Sequence, residues 1–221
     1  GNQAWDIALG SMGTTILGTL LMESEYSGPQ AATFWVGDSP AFHWNQAENR
    51  LDRVNYDDTR WTQRLIRDEE IREEELQDPV FLRSFAVRHL EQLEDFSQGW
   101  HNKLIYGLTQ FLGIAEVDED EEGYTGSPQA LQVHWNWVNL APGDMILLVS
   151  DGVTEGFSYE QVGDPHQDRL ESYVRSNTQA QPIQLAYGIA RASEGKPKGD
   201  NRSVLVGRWP TGEEAVVNGR I

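Results

Sequence analysis

Two aspartates stand where apolar strand runs meet polar chain. In "GDMILLVSDGVTEGF", Gly143 to Phe157, the run from Met145 to Val149 is apolar on both faces, as a central strand is, and it stops on Ser150-Asp151-Gly152. An isolated carboxylate inside such a strand would shift its pKa or take a counter-ion, so Asp151 belongs at the strand end, facing a cation or solvent. Asp200, in Gly199-Asp200-Asn201, stands just before the last strand run, "SVLVGRW". Each has an ordinary alternative, an Asp-Gly turn for Asp151 and an Asx turn for Asp200. Their spacing does not by itself bring the two carboxylates together.

Other chemistries find little support. Gly10-Ser11-Met12-Gly13-Thr14-Thr15 has the glycines of a phosphate cradle but not the Lys of a Walker loop. The five histidines, His43, His89, His101, His134 and His166, form no HExxH and no i, i+4 pair, which argues against a His-based zinc site. There is no Gly-x-Ser-x-Gly elbow. The chain has no cysteine, so disulfides, thiolate metal sites and Cys nucleophiles are excluded. The acidic run "EVDEDEEG" lacks the alternating ligands and distal Glu of an EF-hand and reads as a solvated loop.

The composition narrows the partners. With 221 residues and 38% hydrophobic content the chain can build one sizeable core and needs no second domain. Asp and Glu outnumber Lys and Arg by 35 to 17, a formal charge of -18, and that field repels nucleic acid and anionic membrane surfaces. The same field suits divalent cations, although an acidic, soluble surface accounts for it equally well. No apolar run approaches the roughly 20 residues of a membrane span and no signal sequence opens the chain, which reads as cytoplasmic. The start at Gly1, without Met and close to the first element, reads as a beginning that lies upstream.

The elements that must position the aspartates follow from periodicity. Thr14 to Met22 reads as a strand, and β-formers on both sides of Gly37-Asp38-Ser39-Pro40 read as two strands meeting at a tight corner. "TQRLIRDEEIREEELQ" is a solvated, mobile helical segment with a weak apolar stripe at Trp61, Leu65, Ile66 and Leu76. Asp78-Pro79 starts a helix with Leu82, Phe85, Ala86, His89, Leu90 and Leu93 on one face, and "NKLIYGLTQFLG" forms another. From Leu131 strict alternation puts Leu131, Val133, Trp135 and Trp137 on one face of a half-buried strand and Gln132, His134 and Asn136 on the other. "PIQLAYGIARASEG" gives a last helix. The order β-β-β-α-α-α-β-β-α-β argues for a layered α+β domain.

Taken in order, three stretches resemble the type 2C family of metal-dependent protein phosphatases. "GSMGTTILGTLL" and "ATFWVGDSPAFHW" resemble its G-x-G-T-T strand and V-G-D-S-R-A-Y corner. "LAPGDMILLVSDGVTE" resembles its L-x-P-G-D-x-L-L-L-x-S-D-G motif, and "GDNRSVLVGRW" its closing D-N-x-T-V-V-V strand. "HNKLIYGLTQFLG" is similar to the loop and helix before the family's R-A-L-G.

The resemblance implies one domain over residues 1–221, with two packed antiparallel β-sheets flanked by helices in an α-β-β-α sandwich. It implies two Mn or Mg ions, with a third, weaker site, and a hydroxide between the ions that attacks phosphoserine or phosphothreonine of a phosphoprotein. Asp151 with Gly152 beside it, and Asp200, would be metal ligands; Asp57 in "NYDDT" would serve the weaker site, and residues 57–80 would form a flap next to it. Asp38 and Asn201 would have structural roles near the centre. The chain departs from the family at Asp58, where a His is expected, and at Pro40, where an Arg is expected; the N-E-D and D-G-x-G-G motifs of the family's N-terminal part do not occur. The alternative is therefore a pseudophosphatase, a binding module that keeps the fold and offers an acidic or Trp-rich surface to a partner.

Overall fold

The computed structural model of the chain describes residues 15–82, 116–118, 125–127, 132–158, 166–194 and 201–211. β1 (Ile16–Ser24) and β2 (Gly28–Val36) form an antiparallel hairpin, and β7 (His134–Asn139) pairs antiparallel on the far side of β2, giving a three-stranded sheet in the order β1-β2-β7. A second sheet has the order β4-β3-β8-β9, built from β3 (Ala41–Asn45), β4 (Arg50–Arg53), β8 (Met145–Val149) and β9 (Val204–Arg208), with every pairing antiparallel. A small hairpin joins β5 (Glu116–Asp118) to β6 (Thr125–Ser127). The "EVDEDEEG" run therefore begins in a strand rather than lying wholly in a loop.

The two sheets pack face to face. Ala31 of β2, with Leu17 and Val138, meets Ala41, Val54, Ile146 and Leu148 from the second sheet's side. The opposite face of that sheet carries Phe42, Trp44, Met145, Leu147 and Val149. It is covered by Val153 and Phe157 of α2 (Asp151–Ser158), Leu170 and Val174 of α3 (His166–Ser176), and Leu185 and Ile189 of α4 (Pro182–Ala192). All five residues of β8 are buried, because each of its faces meets a core. Two antiparallel sheets with flanking helices make this an α+β fold, as the element order predicts. Among the described residues no helix is long and apolar enough to cross a membrane.

Several elements differ from the sequence reading, each for a physical reason. The chain after Asp151 continues as helix α2, where the sequence suggests only a turn; Gly152 and Gly156 hide its Val153/Phe157 stripe. α3 lies in a mostly polar stretch, yet its Leu170 and Val174, four residues apart, are fully buried. β4 has one apolar residue, Leu51, and that residue is fully buried. The segment after Asp57 is α1 (Arg60–Arg67), capped by Thr59, followed by a 3-10 turn at Glu73–Gln77. Leu65 and Leu76 are buried, so this stretch is packed rather than wholly solvated.

β7 is turned over relative to the expectation. His134 and Asn136 face inward, while Trp135 and Trp137 are 47% and 55% exposed. The polar face is buried against polar partners: Asn136 Nδ2 donates to the Val54 carbonyl at 2.8 Å, His134 Nδ1 lies 2.9 Å from the Tyr56 hydroxyl, and His134 Nε2 faces Asp58 Oδ2 at 3.4 Å without a hydrogen bond. Residues 10–14 and, beyond Leu82, both helical stripes up to Gly113 lie outside the described residues.

Candidate metal centre

The corner after β2 is shaped by Gly37, whose φ of 104° lies in the left-handed region, and where a Cβ would meet Thr15 Cγ2 at 2.3 Å. The segment from Val54 to Asp58 runs beside this corner and is stitched to it. Val54 N donates to the Ala41 carbonyl at 3.0 Å, and Asp58 N to the Gly37 carbonyl at 3.0 Å. Between them the buried Asn55 accepts from Ala41 N at 2.7 Å and donates to the Ser39 carbonyl at 2.9 Å. Asp57 is thereby set beside Asp38.

The end of β8 reaches the same corner. Val149 N donates to the Pro40 carbonyl at 3.0 Å, one residue before Ser150-Asp151. On its other side Ser150 is bonded to the start of β9: its N donates to the Ser203 carbonyl at 3.0 Å and its hydroxyl to the Asn201 carbonyl at 2.9 Å. Asp151 Oδ1 accepts from Gly152 N at 2.8 Å, at the first turn of α2, where a negative charge is favoured by the helix dipole. Three separate stretches thus deliver Asp38, Asp57 and Asp151 to one end of the second sheet, with Asn201 alongside. Asp200, immediately before Asn201, lies outside the described residues.

The electrostatics register this convergence. Burial, then the charges of Asp57 and Asp151, push the Asp38 carboxyl up to about 6, against a smaller pull from Arg53. Arg53 Nη2 donates to Asp57 Oδ1 at 2.5 Å and gives that carboxylate a counter-charge. Such a cluster of hard oxygen donors has the chemistry that Mg or Mn takes. Among the described residues, however, no group of three or more His, Cys, Asp or Glu side chains is arranged to hold an ion. The donors fit in kind, but the described side chains do not close on one point as a set that would hold an ion.

No protein-family model matches the chain, and no curated protein matches it in sequence. Solved structures do. The serine/threonine phosphatase PstP/Ppp of Mycobacterium tuberculosis superposes with a TM-score of 0.55 at 17% identity, over 94% of this chain and 64% of that one. This chain has the type 2C phosphatase fold. PppA, described as a key regulatory component of T6SS in Pseudomonas aeruginosa, gives 0.52 at 17% identity, over 94% of this chain and 63% of its own. The catalytic domain of the serine/threonine phosphatase PstP in complex with 2 manganese ions gives 0.50 at 18%, over 92% and 61%. At these identities the likeness is one of fold, and the chain spans less than two thirds of the length of each.

Within the type 2C fold, the Asp of "PGD" has a role that motif reading alone leaves blank. Asp144 is buried, with Oδ2 2.9 Å from His43 Nε2 and accepting from Ala141 N at 2.9 Å, and Oδ1 accepting from Gln46 N at 2.9 Å. Burial alone would raise its pKa, but the His43 bond and the two amides outweigh it and hold the carboxyl below its ordinary range. This pair fixes β8 against β3 at the end opposite the aspartates. A second set, Asp58, His134 and Tyr56, was also missed, and only the out-of-place polar face of β7 could have signalled it.

Proposed function

We propose that the chain acts as a metal-dependent phosphatase on phosphoserine and phosphothreonine of phosphoproteins. The observation that supports this most is the meeting of Asp38, Asp57 and Asp151 at one end of the second sheet of a type 2C fold. Asp151, with Gly152 behind it, and Asp200 would hold two Mn or Mg ions; Asp57, with Asp38 beside it, would serve a third and weaker one. When bound, the ions supply charge neutralisation at the phosphoryl oxygens and an activated water. The chain's own residues set that chemistry's frame. β8 is a rigid, doubly buried strand that fixes Asp151, and Arg53 restrains Asp57. Residues 57–80 read as the flap next to the site, within one domain over 1–221. The lack of cysteine accords with a cytoplasmic location.

The test is phosphate release from a phosphopeptide by the full-length protein, with and without Mn. Asp151→Asn is expected to lower turnover by about 100-fold or more, since it removes a group acting on transition-state charge. Absence of Mn-dependent release from the wild type, or near-normal turnover in Asp151→Asn, overturns the proposal.

A second reading, a non-catalytic binding module, is favoured by the solvent-facing aromatics of β7. Trp135 lies 5.1 Å, ring to ring, from Phe34, and Trp137 stands beside it, 55% exposed. Under that reading Mn changes neither thermal stability nor phosphate release.

A further inference from the structure

We propose that Asp58 is a positioning residue that holds Asp57 against Asp38, and that His134 on β7 is its anchor. The importance of Asp57 rests on the metal-centre reading above; the clamp itself does not. Asp58 is 0% exposed, and a fully buried carboxylate is costly unless it is matched. Its Oδ1 accepts from Gln63 Nε2 at 3.2 Å, and its Oδ2 lies 3.4 Å from His134 Nε2. The other imidazole nitrogen, Nδ1, is 2.9 Å from the Tyr56 hydroxyl. Both rings pack on Trp35, with centroids 5.3 Å from Tyr56 and 5.5 Å from His134. Trp35 itself precedes Val36 and the Gly37 corner, whose carbonyl takes the Asp58 amide.

Asp58 therefore ties together three places: its amide holds the corner that carries Asp38, and its carboxylate reaches the first turn of α1 and the start of β7. Asp57 directly precedes it, and the Asp57 carbonyl accepts from Thr59 N at 2.9 Å, so the backbone of Asp57 is held on its C-terminal side. Asp57 cannot swing away from Asp38 without drawing Asp58 from its pocket. An apolar side chain would fill that pocket at lower cost; what a carboxylate adds is direction. The protons follow from the same geometry. A carboxylate only accepts, so the ring nitrogen that faces Asp58, Nε2, is the one assigned the proton. Nδ1 is then bare and accepts from the Tyr56 hydroxyl.

The experiment uses the full-length protein, 15N-labelled, as wild type, Asp58→Asn, His134→Gln and the double variant. The imidazole nitrogen shifts of the wild type are expected to show a protonated Nε2 and a bare Nδ1; the reverse tautomer overturns the proposal and needs no variant to fold. In each single variant the amide signals of Gly37, Asp38 and Asp57 are expected to move while that of Leu147, in the distant core, stays. Mn affinity, read by EPR of the free ion, is expected to fall about tenfold, and the double variant should be no worse than the singles. Lower melting temperature with unmoved Gly37, Asp38 and Asp57 signals makes Asp58 merely structural and overturns the clamp. If the wild type binds no Mn, the metal reading falls, and the clamp is decided by the imidazole and amide shifts alone.

Discussion

At neutral pH the Asp38 carboxylate is ionised against its own burial and against Asp57 and Asp151, with Arg53 as partial relief. Its folded pKa of about 6 lies above the ordinary 3.8, so the folded state binds the proton more tightly than the unfolded state. The cost to stability is thus fully present above pH 6 and is relieved as pH falls through the interval down to 3.8. A cation bound at the cluster relieves the same repulsion without a proton. In metal-free buffer at pH 7.5, Asp38→Asn is therefore expected to raise the melting temperature by about 2–6 °C. Below pH 4 the gain should vanish, and saturating Mn should cancel or reverse it. Melts of both proteins across that range check this; a gain that ignores pH would show that Asp38 does not feel its neighbours.

At the scale of elements, the site depends on β8 being seated at both ends. The Asp144 carboxyl lies below its ordinary range, so its contribution is present above the unfolded pKa and lost as pH falls through the still lower folded one. Asp144→Asn is expected to cost about 3 kcal/mol at pH 7, read from the urea midpoint, and less in acid. α2, which starts at Asp151, is seated by Gly156: a Cβ there would lie 2.6 Å from the Ser193 carbonyl oxygen just after α4. Backbone cannot yield as a side chain can, so Gly156→Ala is expected to cost about 1–3 kcal/mol and, by shifting α2, to lower activity more than a remote change of equal stability cost. These contacts also show what a sequence can disclose. β8 is legible because an all-apolar five-residue run bounded by turn residues is too short for a helix and suits a strand buried on both faces, and the Asp38 corner because Gly, Asp, Ser and Pro crowd it. β7 shows the opposite face to the one its pattern suggests, because the pattern ranks Trp above His and Asn for burial and does not reveal that Tyr56 and Val54 partner the polar side. That Asp38, Asp57 and Asp151 meet was hidden in spacing, since it depends on which strands pair and on the stitching by Asn55.

For the molecule as a whole, the formal charge of -18 makes two effects of added salt easy to confuse. A self-repelling chain is stabilised by any electrolyte, because screening shortens the range of repulsion to about 8–10 Å near physiological ionic strength. A metal centre at the end of the second sheet adds something screening cannot, a term that grows as RT ln(1 + [L]/Kd) and reaches about 2.7 kcal/mol at a hundredfold excess over Kd. The two separate when melts in MnCl2 are compared with melts in NaCl of equal ionic strength. NaCl is expected to raise the melting temperature of the wild type and of Asp151→Asn alike. MnCl2 is expected to raise the wild type by about 5–10 °C more, and Asp151→Asn by little beyond the NaCl effect. An Mn increment equal in both proteins would assign cation binding to the diffuse acidic surface, because only a specific centre has a reason to depend on the carboxylate that β8 delivers to the corner.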